Sequence, residues 1–355
     1  MHPTSPPDGK YTDICRLGTG VSRLPSVPLS VLDLAPVPSG STSSEALADS
    51  LELARTTEAL GYLRYWVAEH HGMPGIASSS PAVLIGAVAA ATSRLRVGSG
   101  GVMLPNHAPL VVAEQFGMLE ALHPGRIDLG IGRAPGTDGR TAAALRRSVD
   151  GLSADEFPQQ LVQLRGFFRG PVQGVTAVPA QGNEPAVWLL GSSGYSAQVA
   201  GHLGLPFAFA HHFSGQHTLP ALALYRESFR PSEVLAEPYA MVCASVVVAD
   251  DDETARRLAL PGGLSFLRLR SGTPGPVPSV EEAESYPYSP AERAFVEDRL
   301  DSQVIGGPET ARQGLEDLLD ATQADELMVT TLVHDPADRL RSYELLSQLS
   351  AGVPA

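Results

Sequence analysis

The sequence predicts an α/β fold of the TIM (β/α)8 barrel type, with an irregular insertion after the seventh strand. Eight apolar segments alternate with segments of helical character. Most of these eight are apolar along their whole length, as parallel strands covered on both faces tend to be. A length of 355 residues suits one such barrel with insertions. A doubly wound open sheet is the alternative architecture.

The strands are predicted from runs rich in apolar, β-branched and aromatic residues that end at turn residues. Each run is short enough for a single strand and is followed by a loop or by helical sequence. In chain order they are residues 27–34, 62–71, 95–104, 125–133, 185–191, 205–212, 238–249 and 324–333.

The helices are predicted from apolar residues that recur at the helical period and from capping signals. In the first of them, Leu47, Leu51 and Ala54 share one face, and Gly61 ends it. In chain order the predicted helices are residues 44–60, 81–92, 109–123, about 137–168, a short one from 194, about 216–229 and about 338–349.

Two segments lie outside this alternation. Residues 1–25 lack the apolar core of a signal peptide, so we interpret them as a mobile leader before a single barrel domain at 26–355. Residues 260–292 are rich in proline, glycine and serine. A lid over the site and a surface excursion explain such a segment equally well.

Composition excludes several classes of partner. The chain carries 25 Lys and Arg against 39 Asp and Glu, a net charge of -14, which argues against nucleic acid or an anionic membrane as the partner. The longest apolar run, 81–92, is too short to span a bilayer. Cys15 and Cys243 have no metal-site spacing and give no disulfide framework, so we expect a cytoplasmic protein without a metal site.

Histidines end the second predicted strand, where a TIM barrel places its active site. The run Glu69, His70, His71 stands at that strand end. Histidine is the usual proton donor or acceptor near neutral pH, so His70 is the candidate acid–base. The structural alternative is an imidazole that satisfies a backbone carbonyl. His211 and His212 end the sixth strand and line either the site or a polar rim.

Glycines interrupt the third predicted strand. Gly98, Gly100 and Gly101 stand in an otherwise apolar run, and Asn106 and His107 follow it. Glycine weakens a strand unless a close approach requires a bare backbone. A flat aromatic ligand lying on the backbone would explain these glycines, and tight packing between a helix and the strand is the alternative.

A phosphate site is predicted beyond strands four and five. Pro135 stands where a dinucleotide-binding fingerprint has its third glycine, so Arg133 is better interpreted as a fixed positive charge for a phosphate. A surface salt bridge is the alternative. The loop after strand five begins a helix whose free N–H groups can bind phosphate, unless a serine caps it. The loop residues are Gly191, Ser192, Ser193, Gly194, Tyr195 and Ser196.

Four motifs in this order resemble the bacterial luciferase-like, flavin-dependent monooxygenase family over roughly residues 27–350. They are "AEHHG", "VGSGGVMLPNHAP", "EQFGMLEALHPGRIDLGIGRAPG" and "LLGSSGYSAQVA". The resemblance implies a TIM barrel that binds reduced flavin mononucleotide (FMN). An adduct of reduced flavin with O2 would then oxygenate a small organic substrate. A separate reductase, or a nicotinamide acting in place, would supply the electrons.

The resemblance also implies roles for single residues. Gly100 and Gly101 match a non-prolyl cis peptide beside the flavin ring, and Asn106 falls within the cofactor-binding set. Arg133 and the loop 191–196 match phosphate contacts, and His70 matches a histidine that assists proton transfer.

The resemblance further implies a homodimer. His71 and Glu114 match positions near the subunit interface, and the small-residue helix 81–92 suits a dimer contact. Three histidines are candidates for the substrate pocket, namely His71, His107 and His211. The alternative functions are an oxidoreductase of the same superfamily that uses the deazaflavin coenzyme, and a non-catalytic flavin-binding protein.

Overall fold

Eight parallel strands close into a barrel in the computed structural model, which describes residues 24–133, 139–145 and 156–350. The TIM-barrel prediction is therefore confirmed, and the open sheet is excluded. The barrel strands are β1 (Leu29–Asp33), β2 (Arg64–Val67), β3 (Arg96–Ser99), β5 (Ile127–Gly132), β6 (Ala186–Gly191), β7 (Phe207–Phe209), β8 (Ala240–Val248) and β10 (Glu326–Thr330). They pair in that order, and β10 closes the ring by pairing with both β8 and β1.

Two further short strands extend the sheet. The third predicted strand divides into β3 and β4 (Val102–Met103), and β4 pairs with the end of β5. The three-residue β9 (Val304–Gly306) pairs with the last residues of β8. The sequence analysis missed β9 because its three residues do not belong to a longer apolar run, whereas the equally short β7 lies within one.

Helices surround the barrel. They are α1 (Ser43–Ala59), α2 (Pro81–Ala91), α3 (Pro109–Leu122), α4 (Gly139–Ala144), α5 (Phe157–Arg169), α6 (Gly194–Leu203), α7 (His211–Ser214), α8 (Thr218–Ser228), α9 (Asp252–Arg270), α10 (Val280–Ser285), α11 (Pro290–Asp301), α12 (Pro308–Thr322) and α13 (Pro336–Ser350). The predicted helices correspond to α1–α6, α8 and α13, whereas α7 and α9–α12 were not predicted. The predicted helix at 137–168 covers α4, most of α5 and residues outside the described ranges. None of the helices in the described part of the chain is long and apolar enough to cross a membrane.

The insertion between β8 and β10 is more helical than its composition indicates. Residues 260–270 continue α9, and α10 and α11 follow before β9. Pro261 lies inside α9, and capping boxes at Ser279 and Ser289 begin the next two helices. Ser279, Ser289 and Pro290, which suggested irregular chain, therefore begin helices, and Pro261 is accommodated within one. Of the predicted leader, residues 1–23 lie outside the described ranges.

The barrel interior is filled by large side chains from non-adjacent strands. Trp66 of β2 meets Trp188 of β6 edge-on, with ring centroids 5.2 Å apart. Two strands separate β2 from β6 in the sheet, so these rings meet across the interior. The buried residues of this cluster are Leu32, Trp66, Ala68, Trp188, Ala208, Met241, Cys243 and Met328.

A charged network closes the interior at the N-terminal ends of the strands. Arg64 Nη1 lies 2.8 Å from Asp128 Oδ2, and Arg64 Nε lies 2.9 Å from Glu326 Oε1. Ser30 and Tyr239 also donate to Glu326, over 2.5 Å and 2.9 Å. Both carboxylates are fully buried, so their charges depend on these partners for compensation.

Atoms of the barrel itself account for the glycines of the third predicted strand. A Cβ on Gly98 would lie 2.6 Å from the Asp128 Cβ, and one on Gly100 would lie 2.5 Å from the Leu32 Cδ1. A Cβ on Gly101 would lie 2.7 Å from the carbonyl oxygen of Gly130. These glycines are therefore required by neighbouring strands and interior side chains, and not by the packing of a helix on the strand. The Gly100–Gly101 peptide is cis, as the resemblance implied.

Candidate active site

The C-terminal ends of the barrel strands carry the predicted site residues. His70 follows β2, and Arg133 follows β5. The loop 191–196 joins β6 to α6, and His211 and His212 begin α7 just after β7. Because the strands are parallel, all these ends lie at one mouth of the barrel, where TIM-barrel sites form.

His70 has a buried ring nitrogen at this end of the barrel. Its backbone N–H donates to the Ser78 carbonyl over 3.0 Å. Among the described residues, its side-chain Nδ1 has no hydrogen-bond partner although the atom is buried. Burial lowers the pKa of His70, and the nearby Glu69 charge opposes that effect only in part. The site therefore contains a neutral imidazole with a nitrogen left for another group.

Glu69 organises the polar side chains beside His70. His71 and His107 donate from Nε2 to its Oε1 over 2.9 Å and 2.8 Å, and the Met103 N–H donates to Oε2 over 3.0 Å. Burial raises the pKa of Glu69, but these hydrogen bonds outweigh burial and lower it. Asn106 lies at the edge of the same cluster, 3.5 Å from Glu69 Oε1.

The sequence analysis missed the role of Glu69 as the shared acceptor of this cluster. One possible metal-ligand atom from each of Glu69, His71 and His107 lies within 4.8 Å of the other two, as a metal site would require. Their separations are those of hydrogen bonds, which satisfy the carboxylate without an ion. No spacing rule links residue 107 to residue 69, because the contact depends on how β2 and β4 are placed.

Arg133 and the loop after β6 meet because β5 and β6 are neighbours. The Arg133 Cζ lies 4.2 Å from the centre of the Tyr195 ring, a cation–π contact that orients the guanidinium. In the described part of the chain Arg133 makes no ion pair, which disagrees with the salt-bridge alternative.

The first turn of α6 lies directly beside this guanidinium. Its N-cap residue is Ser193, which makes no side-chain capping hydrogen bond. This observation disagrees with the alternative that a serine caps the helix. Ser196 is buried, and a Cβ on Gly191 would lie 2.7 Å from the Ser196 Cβ, so this serine packs beneath the turn. A guanidinium beside uncapped N–H groups is a donor set that suits a phosphate.

A second group of side chains lies after β7. His212 Nδ1 donates to the Cys243 carbonyl over 3.1 Å, and burial lowers its pKa to about 4. His211 Nδ1 lies 2.8 Å from the Thr218 hydroxyl oxygen. The positive charge of Arg299 in α11 further lowers the pKa of both histidines. Sequence reasoning did not find Arg299.

Comparison with known proteins decides the family. Residues 27–326 match the family model described as luciferase-like monooxygenase. The chain belongs to the luciferase-like monooxygenase family. It is therefore an enzyme of the flavin-dependent oxygenase type, acting on a small molecule with O2, and the non-catalytic alternative is not supported.

Two curated relatives of this luciferase-like monooxygenase cover most of its length. A luciferase-like monooxygenase of Escherichia coli strain K12 is 49% identical over 322 residues, 90% of this chain and 96% of the relative. The N-acetyl-S-alkylcysteine monooxygenase of Bacillus subtilis strain 168 is 32% identical over 334 residues, 90% of this chain and 97% of the relative.

Solved structures show the same fold with different cofactors. Apo-MsnO8 is 40% identical, with a TM-score of 0.84 over 93% of this chain and 100% of the other. The oxygenating constituent of 3,6-diketocamphane monooxygenase from Pseudomonas putida, in complex with FMN, has a TM-score of 0.69 at 20% identity and covers 92% and 98%. The coenzyme F420-dependent tetrahydromethanopterin reductase of Methanopyrus kandleri has a TM-score of 0.63 at 16% identity, over 91% of this chain and 97% of the other. The fold therefore accommodates FMN or the deazaflavin F420.

Proposed function

We propose that this luciferase-like monooxygenase uses reduced FMN and O2 to oxygenate a small organic substrate at the mouth of its barrel. The observation that supports this most is the convergence of Arg133, Tyr195 and the uncapped start of α6, which suits the phosphate of FMN. Bound reduced flavin would supply the electrons with which O2 is activated.

The chain's own residues then have separate tasks. Arg133 and the first N–H groups of α6 hold the phosphate, and Tyr195 keeps the guanidinium plane in position. His70 moves a proton at its Nδ1, because that nitrogen is buried, neutral and unpaired among the described residues. The apolar interior behind the site, which contains Trp66 and Trp188, excludes water from beneath it.

FMN is favoured over the deazaflavin coenzyme by the curated relatives. Both of the relatives described above are named monooxygenases, and their identities of 49% and 32% exceed the 16% of the F420-dependent reductase. The deazaflavin coenzyme is the alternative cofactor, because the same fold accommodates it in the F420-dependent reductase. The substrate screen should begin with N-acetyl-S-alkylcysteines, on which the B. subtilis relative acts.

A homodimer and a source of reduced flavin complete the proposal. Exposed apolar side chains on α2 and α3 support a contact between subunits, including Val83 at 72% and Leu122 at 68% exposure. Glu114 lies on α3, and His71 lies in the loop between β2 and α2. A separate reductase, or a nicotinamide acting in place, would provide the electrons. The cytoplasmic location stays a prediction.

Replacing Arg133 with glutamine tests the phosphate site. The wild type is expected to bind FMN more tightly than riboflavin, which lacks the phosphate. In R133Q the FMN affinity should fall about ten- to hundred-fold, the usual effect of losing a charge-assisted hydrogen bond, while riboflavin affinity stays unchanged. Quenching of flavin fluorescence measures both. R55Q, which changes an exposed arginine on α1, is the control. Equal FMN affinity in R133Q and the wild type would refute this phosphate site.

A further inference from the structure

Arg299 is a half-buried cation without a counter-ion among the residues that the structure describes. It lies on α11, and burial lowers its pKa without any opposing carboxylate. The two most buried arginines, Arg64 and Arg339, lie 2.8 Å and 2.6 Å from the carboxylates of Asp128 and Asp33. Within the described ranges Arg299 makes no ion pair and no side-chain hydrogen bond. A partly desolvated guanidinium without an acceptor indicates an anion that comes from outside the chain.

Aromatic rings hold the guanidinium of Arg299 in place. Its Cζ lies 4.4 Å from the centre of the Phe266 ring. Phe266 stacks on Phe295 at 6.0 Å with an angle of 3° between the planes, and Phe213 meets Phe266 edge-on at 6.5 Å. Phe213 is 63% exposed although it is a large apolar side chain. These rings give an apolar wall next to a fixed positive charge.

The ring contacts place Arg299 near the mouth of the barrel, because Phe213, which meets Phe266, lies in α7 just after β7. His211 and His212 are the groups on which its charge acts, and His70 acts on His212 as well. Both histidines are neutral near pH 7, because burial and then Arg299 lower their pKa values. They therefore add no positive charge beside that of Arg299.

We propose that Arg299 binds the anionic head group of the substrate, a carboxylate or sulfonate joined to an apolar chain that contacts Phe213 and Phe266. This inference rests on the proposed function and narrows its substrate to organic acids. A guanidinium matches the planar oxygens of a carboxylate, and an aromatic wall suits the chain attached to it. The insertion after β8 would then supply the substrate contact, while the loops after β5 and β6 hold the cofactor.

Matched ligands that differ only in charge test this proposal. Calorimetric titration of the full chain with FMN present would compare octanoate, octanesulfonate and octanamide. The wild type should bind one or both anions at least about ten-fold more tightly than the amide. R299Q should lose that preference while its octanamide affinity stays unchanged, and R299K should keep part of it. R293Q, which changes an exposed arginine over the Tyr288 ring on the same helix, should behave like the wild type.

Three results would overturn the proposal. The first is a wild type that binds neither anion better than octanamide, including one that binds none of the three. The second is an R299Q variant that keeps the full preference. The third is loss of the FMN-over-riboflavin preference in R299Q, which would make Arg299 a contact of the cofactor phosphate. Since these titrations require no turnover, anion binding that depends on Arg299 in a protein without monooxygenase activity would refute only the proposed function.

Discussion

Replacement of His70 by alanine is expected to remove most oxygenation while flavin binding stays nearly unchanged. The buried Nδ1 of His70 is neutral and unpaired among the described residues, so it is available to move a proton in the reaction. Loss of a general acid–base typically slows a reaction by about a hundred- to ten-thousand-fold. Product formation from reduced FMN in a single turnover, with a substrate found by the screen, measures the effect.

Two comparisons make the His70 result specific. H202A, which removes a histidine exposed on α6, should oxygenate at the wild-type rate. Because burial lowers the pKa of His70, wild-type activity that needs the neutral imidazole should persist below the pH range in which exposed histidines titrate. Unchanged oxygenation in H70A would remove this residue from the mechanism.

Replacement of Arg64 by methionine is expected to destabilise the fold more than any other substitution considered above. The variant leaves Glu326 buried without its cation, and Asp128 keeps only Arg96 as an ionic partner. Removing one partner of a buried ion pair typically costs about 3–5 kcal/mol. Thermal unfolding followed by circular dichroism should show a melting temperature several degrees lower. R55M, which breaks an exposed ion pair with Glu52, should change it little.

The loss of stability in R64M should depend on pH. Burial already raises the pKa of Glu326 in the folded protein, and loss of Arg64 raises it further. A carboxyl group with a raised folded-state pKa contributes its stability below the unfolded pKa and loses it as the pH rises through the folded one. R64M should therefore differ least from the wild type near pH 5 and most near pH 8, and adding E326Q should recover part of the loss. A melting temperature equal to that of the wild type at both pH values would contradict this account of the network.

The sequence predicted the fold well because strand and helix signals are local. Each of the eight barrel strands falls within a predicted segment, since buried parallel strands are apolar throughout. The insertion after β8 was predicted less well, because Pro261 is accommodated inside α9 and only the fold reveals that. The glycines Gly98 and Gly100 marked a close approach correctly, but the approaching atoms belong to Asp128 and Leu32, which are distant in sequence.

The residues of the candidate site also fall into a group that the sequence predicts and a group that it does not. Residues at strand ends, such as His70 and Arg133, could be found because parallel strands bring their ends together. The Glu69 cluster and Arg299 could not, since each depends on a tertiary contact without a spacing rule. Asn106, His71 and His107 were predicted as separate cofactor or pocket residues, and the structure places all three beside Glu69. Their proposed ligand contacts stay predictions.

The affinity for reduced cofactors tests the central claim most directly. Under anaerobic conditions, reduced FMN, reduced riboflavin and reduced F420 would each be titrated into the wild type and R133Q by calorimetry. The account predicts that the wild type binds reduced FMN at least about ten-fold more tightly than either competitor and that R133Q loses the advantage over riboflavin. Tight binding of F420 without binding of FMN, or an FMN affinity that does not depend on Arg133, would contradict it.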